Sequence, residues 1–387
     1  MKKIKILFFT GNRAEFSFIQ NAIEIISGNK NFEISLLVSG SHFLNEFGNT
    51  VKFKKELNVK TFNINIKIQT KNISKTSDYY SKITEKFNKF IKGKKFDYIF
   101  ISSDRFESFA VANIAFLNNI QIIHYEGGDL TSGGSYDDYL RHSISRLASL
   151  HFVTNKDSLK RLVKFGEEKN RIENIGLLSL KQKDFKVNET KKMFDLDSKK
   201  HLILFTYHPL VYRKNKNSID IKNILVSLDK LIKENKIQLI MTHPNFDPYY
   251  NLIVKELDKL IKKNYCDVKF IKSLGTENYH RLLYYCGKTK KGFCVGNSSS
   301  GIKEAEFFDC PAINIGPRQN SRAKGNNVID VKLNKNQIYK KINSLINIKR
   351  KKKIKKIYFK SDSKNRMIAK IINHYKNHYF KIKKCTF

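Results

Sequence analysis

Three features of the 387-residue sequence predict an α/β protein of two domains, each built on a parallel sheet and facing a shared cleft. Short apolar runs alternate with amphipathic stretches along the whole chain, the pattern of repeated strand–helix units. That alternation lapses once, in a polar, Lys-rich stretch at 181–200, and then resumes. Acids, histidines and a serine-rich turn sit just past the ends of the apolar runs, where a parallel sheet gathers its ligand-binding groups.

The first run, IKILFFT at 4–10, follows a basic start but turns polar at Gly11. It is too short for the apolar part of a leader peptide and reads as a first buried strand. Further strands are expected at 34–39, 98–102, 120–125, 150–153 and 172–175, with helices at 16–26, 79–91, 107–117 and 139–148 between them. The second series has strands at 202–206, 237–242, 268–271, 293–295 and 312–315, and helices at 219–234, 249–262, 279–285 and 302–308. Apolar residues at helical spacing after a Ser/Asp start predict a terminal helix over 361–375. The expected domains are 1–178, 179–345, and a basic connector with terminal helix at 346–387. No apolar run is long enough to span a membrane, and the expected location is the cytoplasm.

The formal charge of +39 invites a nucleic-acid reading. Composition argues against it, because 62 of the 74 basic residues are lysines spread along the chain and only 12 are arginines, the residue that dominates specific base contacts. Five scattered cysteines without a C-x-x-C pair read as free thiols, not as disulfides or a metal site.

Candidate chemistry gathers at strand ends. Asp104, Glu126 and Asp137 follow two successive strands and the next loop, with His124 and His142 nearby, a set suited to proton transfer on a small molecule. The first strand ends in TGNRAEFS, a glycine turn into a helix that lacks the dinucleotide G-x-G-x-x-G, with Arg13 placed to meet a phosphate. In VGNSSSGIKEAEFF a strand runs into three serines and Gly301 before a helix, which suits a diphosphate cradle of backbone N–H groups and hydroxyls; Glu304, one turn on, suits ribose hydroxyls. Two His-Pro pairs, at His208 and His243, follow strands of the second half, and Arg318 and Arg322 follow another. No His/Cys/Asp set has metal-ligand spacing.

GNRAEF, GSHFLNEFGNT (40–50), SDRFE, HYEGGDL with DDYLRH, FTYHP, SLGTENY, GNSSSGIKEA and INIGPRQ occur in the order and spacing of the hydrolysing UDP-N-acetylglucosamine 2-epimerases, over residues 4 to 375. The chain resembles that family. The resemblance implies two Rossmann-like domains facing a cleft (GT-B-like), a last helix crossing back to the first domain, a homodimer, a nucleotide-sugar substrate and no cofactor or metal. It implies release of UDP and N-acetylmannosamine from UDP-N-acetylglucosamine; a sister group, which the loop at 131–139 resembles, acts on a nucleotide-linked 2,4-diacetamido-2,4,6-trideoxy sugar. Carried over position by position, it makes Asp104, Glu126 and Asp137 the acid–base group and has His208 neutralise the leaving diphosphate. Arg13, Ser17, Ser298, Ser299, Gly301, Glu304 and Arg318 go to the nucleotide, and His42, Arg105 and His142 to the sugar. A glycosyltransferase using the same nucleotide site is the competing class. Departures from the family pattern are Ser103 for Gly, Pro317, Glu306 where Pro is common, and an inserted-looking GKTKK at 287–291.

Overall fold

The structure is a computed structural model that describes residues 2–44, 57–66, 74–102, 104–132, 136–180, 183–245, 247–347, 354–377 and 383, with the side chains of residues 13, 14, 74, 75, 214 and 215 excepted. The chain divides into two compact units, one of residues 1–130, 136–179 and 359–387, the other of 131–135 and 180–358.

The first unit runs β1 (Ile4–Thr10), α1 (Arg13–Ser27), β2 (Phe32–Ser39), β3 (Lys60–Ile64), α2 (Ser74–Ile91), β4 (Tyr98–Ser102), α3 (Phe106–Leu117), β5 (Gln121–Tyr125), α4 (Asp137–Leu147), β6 (Leu150–Val153), α5 (Lys156–Lys164) and β7 (Ile172–Asn174). Its seven strands are all parallel in the order β3-β2-β1-β4-β5-β6-β7. Strand β1 shows why the sequence reads as an unbroken apolar run: Ile4, Ile6 and Phe8 pack on one face with α1, while Leu7 and Phe9 pack on the other with α2 and α3. A parallel sheet covered on both faces needs apolar side chains on both.

The second unit continues with α6 (Val187–Met193), β8 (His201–Thr206), α7 (Asn217–Lys233), β9 (Ile237–Thr242), α8 (Tyr250–Ile261), β10 (Val268–Ile271), α9 (Gly275–Thr289), β11 (Gly292–Gly296), α10 (Ser300–Lys303), β12 (Ala312–Ile315), β13 (Val328–Val331) and α11 (Lys335–Asn347). Six parallel strands lie in the order β10-β9-β8-β11-β12-β13. Both sheets therefore reverse their winding direction once, between β1 and β4 and between β8 and β11, and a doubly wound sheet binds ligands beyond its strand ends at that reversal.

The last helix, α12 (Ser363–Asn377), belongs to the first unit. Met367 and Ile371 are fully buried in the same apolar cluster as Phe8 and Tyr125. The Tyr98 hydroxyl meets His374 Nδ1 at 2.7 Å beneath them. Ile371→Ala is expected to destabilise the protein by about 2–5 kcal/mol, the usual cost of a cavity at a packed site, read from urea unfolding.

Two strands were not expected from the sequence. β3 (KTFNI) and β13 (VIDV) are the edges of their sheets and bury mainly their last residue, so neither carries an apolar run. The polar stretch at 181–200, the expected connection between domains, begins at the boundary between the two units; it also carries α6, and Phe185, Phe194 and Leu196 are buried in the second unit's core. GKTKK at 287–291 forms the end of α9, which closes at Lys290 in the left-handed conformation. Among the described residues no helix is long and apolar enough to cross a membrane. The basic run at 349–356 lies mostly outside the described residues, as do Ser103 and the loop tip at 133–135.

Candidate active site

In the first unit the reversal point lies beyond the ends of β1 and β4. The chain leaves β1 through Gly11 and Asn12, whose backbone N–H groups donate to Glu15 Oε1 at 2.5 and 3.2 Å. Burial pushes that carboxyl up to about 8 despite those two donors. Gly40 crosses over the same turn: its φ is +64°, and a Cβ there would fall 2.0 Å from the Gly11 carbonyl oxygen.

Asp104 follows β4 and forms an ion pair with Arg141 of α4. Arg141 is buried, with 1% of its surface exposed. It also donates to Asp138 Oδ1 at 2.5 Å and to the Asp129 carbonyl oxygen at 3.0 Å. Glu126, just past β5, is buried and holds φ at +69°, a left-handed conformation unfavourable for a side chain with a Cβ. Its backbone N–H donates to the Phe152 carbonyl oxygen at 2.9 Å, so the neighbouring strand fixes the turn that aims it. Asp137 opens α4 in the electrostatic field of Arg141.

The other candidate residues of this unit divide differently. His42 is buried against Thr10, Nε2 to Oγ1 at 2.9 Å, and burial pushes its pKa down to about 3, so its ring is neutral at working pH. His142 sits edge-on to the Phe165 ring, with its pKa lowered first by burial and then by Arg141. His124 is fully buried and bonds Ser145 Oγ at 3.0 Å, a core role. Arg105 lies over the Phe106 ring and reaches Glu107 at 3.4 Å. Ser17 is buried on α1, and Arg13 opens that helix, its side chain outside the described residues.

In the second unit the reversal point is built around Asn297. Gly296, at φ +137°, lets β11 end against β8: a Cβ there would fall 1.9 Å from the Thr206 carbonyl oxygen. The next residue, Asn297, is buried and clamps the loop after β8. Its Oδ1 accepts the His208 N–H at 2.6 Å, and its Nδ2 donates to the His208 carbonyl oxygen at 2.8 Å. Its own carbonyl oxygen accepts from Arg318 at 3.3 Å and from Gln319 at 2.8 Å. His208 Nδ1 accepts the Asn245 N–H at 3.0 Å, which places the neutral ring's proton on Nε2. Arg318 also faces Asp247 at 3.8 Å.

The serine loop follows at once. Ser298 Oγ lies 2.9 Å from Ser300 Oγ, which in turn meets the Tyr279 hydroxyl at 2.6 Å. Gly301 sits over Ala312 and Cys294, and Ser298, Ser300, Gly301, Cys294 and Asn314 line a small cavity. The helix expected at 302–308 is only one α-turn, Ser300–Lys303, followed by a 3-10 turn, Ala305–Phe308. A dipole of that length is slight, so an anion here is held by hydroxyls and individual N–H groups. Ser299 precedes that turn, and Glu304 follows it, 3.6 Å from His280. His243 bonds the Pro244 carbonyl oxygen and packs on Tyr250 and Phe270, which separates it from His208 in role.

The first unit thus brings Asp104, Glu126 and Asp137 to the strand ends at its reversal point, and the second unit brings His208, the serines and Arg318 to the strand ends at its own. The family model described as UDP-N-acetylglucosamine 2-epimerase matches residues 24–372. The chain is 35% identical over 350 residues to the GDP/UDP-N,N'-diacetylbacillosamine 2-epimerase (hydrolyzing) of Campylobacter jejuni, covering 89% of this chain and 88% of that protein. The chain belongs to the UDP-N-acetylglucosamine 2-epimerase family. Another member, the UDP-N-acetylglucosamine 2-epimerase of Neisseria meningitidis, is 29% identical over 336 residues, 84% of this chain and 83% of that protein. A crystal structure of a UDP-GlcNAc 2-epimerase from Neisseria meningitidis bound to UDP-GlcNAc shares the GT-B-like pair of Rossmann-like units, with TM-score 0.76, 16% identity, and coverage of 96% of this chain and all of that one.

Within this epimerase family fold, sequence reasoning missed Arg141, Asp138 and Asn297. Arg141 and Asp138 lie in DDYLRH and Asn297 in GNSSSG, but nothing in the letters marks a buried hub. Only the gathering of Asp104, Asp129 and Asp138 around one guanidinium, or of His208, Arg318 and Gln319 around the side-chain amide and backbone carbonyl of one asparagine, does so.

Proposed function

We propose that the chain is a hydrolysing 2-epimerase of a nucleoside-diphosphate 2-acetamido sugar. The observation that carries this reading is the 35% identity, over nearly the whole chain, to a hydrolysing 2-epimerase. The acid group and the diphosphate-binding set fit that reading. In the reaction a carboxylate of the first unit removes the C2 proton and the nucleoside diphosphate leaves C1, giving a 2-acetamidoglucal. Water then adds at C1 while an acid delivers a proton to the opposite face of C2. One carboxyl must be ionised and another protonated, which a group of neighbouring acids in partial burial supports.

The second unit holds the nucleotide. His208 Nε2–H, Ser298, Ser299, the N–H groups around Gly301 and Arg318 stabilise the diphosphate as it leaves, and Glu304 accepts from the ribose hydroxyls. Arg13 and Ser17 assist at the nucleotide, and Arg105 and His142 flank the sugar, whereas His42 supports the turn after β1 from behind.

For the sugar, the greater identity to the C. jejuni enzyme than to the N. meningitidis one favours N,N'-diacetylbacillosamine carried on UDP or GDP. UDP-N-acetylglucosamine is the second reading, supported by the family match. NMR analysis of products from each nucleotide sugar separates them. Release of nucleoside diphosphate with the C2-inverted diacetamido sugar is expected; release from UDP-N-acetylglucosamine alone would reverse the substrate assignment, and release from none would remove the epimerase reading.

A further inference from the structure

The acids of the first unit are organised by a side chain to which neither the motifs nor the family resemblance gave a role. Arg141 joins three separate segments: Asp104 after β4, the Asp129 carbonyl oxygen in the loop after β5, and Asp138 in the first turn of α4. It is essentially buried, and a buried guanidinium persists only where its donors and its charge are met. Here they are met by aspartates: Asp104, Asp129, Asp138 and Asp137 all act on it. Arginine does not give up its proton at any pH a protein survives, so the charge opposite Asp104 is permanent.

We propose that Arg141 is the positioning residue of the proton-transfer site, holding Asp104 as a fixed carboxylate, so that the proton delivered to the second face of C2 comes from another carboxyl. This rests on the epimerase reading above. A carboxylate in contact with a guanidinium favours its charged form. It is therefore suited to receive a proton transiently or to stabilise developing positive charge, and unsuited to arrive protonated. The planar fork also fixes direction: one guanidinium nitrogen reaches Asp104 while the other reaches Asp138 and the Asp129 carbonyl oxygen, so the carboxylate is set by the fold on both sides. Other titratable and charged groups here are Asp137 and His142 of α4, which share the field of Arg141, Glu126 after β5, Arg161 of α5, which donates to the Gly128 carbonyl oxygen, and Arg105, which follows Asp104 and pairs with Glu107.

The test uses Arg141→Lys, which keeps the charge and so preserves folding but loses the fork. The acidic limb of kcat/KM against pH, which reports ionisation of the base, is expected to move up by about one pH unit or more. The double variant Arg141→Lys/Asp104→Asn is expected to be no slower than Asp104→Asn alone, because both changes act through one group. A rate lowered by the same factor at every pH, or losses that multiply in the double variant, would overturn the proposal and leave Arg141 a purely structural tie. A measurement independent of turnover is the carboxyl-carbon NMR titration of 13C-aspartate-labelled protein, with the Asp104 resonance assigned by its absence in Asp104→Asn. Asp104 is expected to stay ionised below the ordinary carboxylate range in the native protein and to titrate higher in Arg141→Lys; an unchanged titration would overturn the proposal. If the titration shifts but the native protein turns over neither nucleotide sugar, the epimerase reading falls and the Arg141–Asp104 pairing stands.

Discussion

Asp104→Asn is expected to slow turnover of the nucleotide sugar by about 10²- to 10⁴-fold, the span typical of a lost general acid–base group. Affinity for the nucleoside diphosphate should change little, because the diphosphate groups His208, Ser298, Ser299 and Arg318 belong to the second unit and Asp104 is not among the groups assigned to the nucleotide. The substitution is nearly isosteric and keeps an acceptor opposite Arg141, so the fold should survive it; Asp138 and the Asp129 carbonyl oxygen still meet the guanidinium. Steady-state kinetics with isothermal titration of the nucleotide checks both halves. A near-native rate would remove Asp104 from the chemistry.

Asn297→Ala should produce the opposite pattern, a loss centred on nucleotide binding. The amide makes two hydrogen bonds to the backbone of His208, and both partners are buried. Removing it takes away one hydrogen bond from each of two buried backbone groups, at about 1–3 kcal/mol each, so a loss of about 2–6 kcal/mol in stability is expected. The loop carrying His208 then loses its registry with the serine loop, and nucleotide affinity should fall at least about tenfold, or ~1.4 kcal/mol. Denaturant unfolding and nucleotide titration measure the two effects separately. Unchanged affinity would show that His208 does not depend on Asn297 for its position.

Much of this architecture was legible in the letters. β1, β4, β6, β9 and β12 start and stop where their apolar runs do, because a strand covered on both faces is predominantly apolar, and the half-buried edge strand β10 does the same. The edges β3 (KTFNI) and β13 (VIDV) were not legible, since each buries only its last residue and has a polar residue just before it, whereas the edge β10 (VKFI) ends in two apolar residues. α5 (KDSLKRLVK) was missed for a related reason: it buries only Ser158 and Leu162, too few apolar positions to reveal a period. The site was legible as residue types at strand ends. Its wiring was not. Asp104 and Arg141 are 37 residues apart, and Asn297 and His208 are 89 apart; such pairs are created by strand order, which the local pattern does not encode. The anion-binding helix expected after the serine loop is a single turn followed by a 3-10 turn, and Gly287 of α9 allows that turn its close approach, since a Cβ there would fall 1.8 Å from the Phe308 carbonyl oxygen.

Charge does not decide between the surviving functions, but the fate of one hydrogen does. The account requires that C2 of the sugar lose its proton to a carboxylate and regain one from another group that exchanges with solvent. Incubating the protein with the UDP- or GDP-linked diacetamido sugar, and separately with UDP-N-acetylglucosamine, in deuterated water tests this directly by NMR of the released sugar. The predicted result is free nucleoside diphosphate together with a C2-inverted sugar carrying deuterium at C2. A released or transferred sugar that keeps its original C2 hydrogen and configuration would contradict the account and point to glycosyl transfer on the same fold.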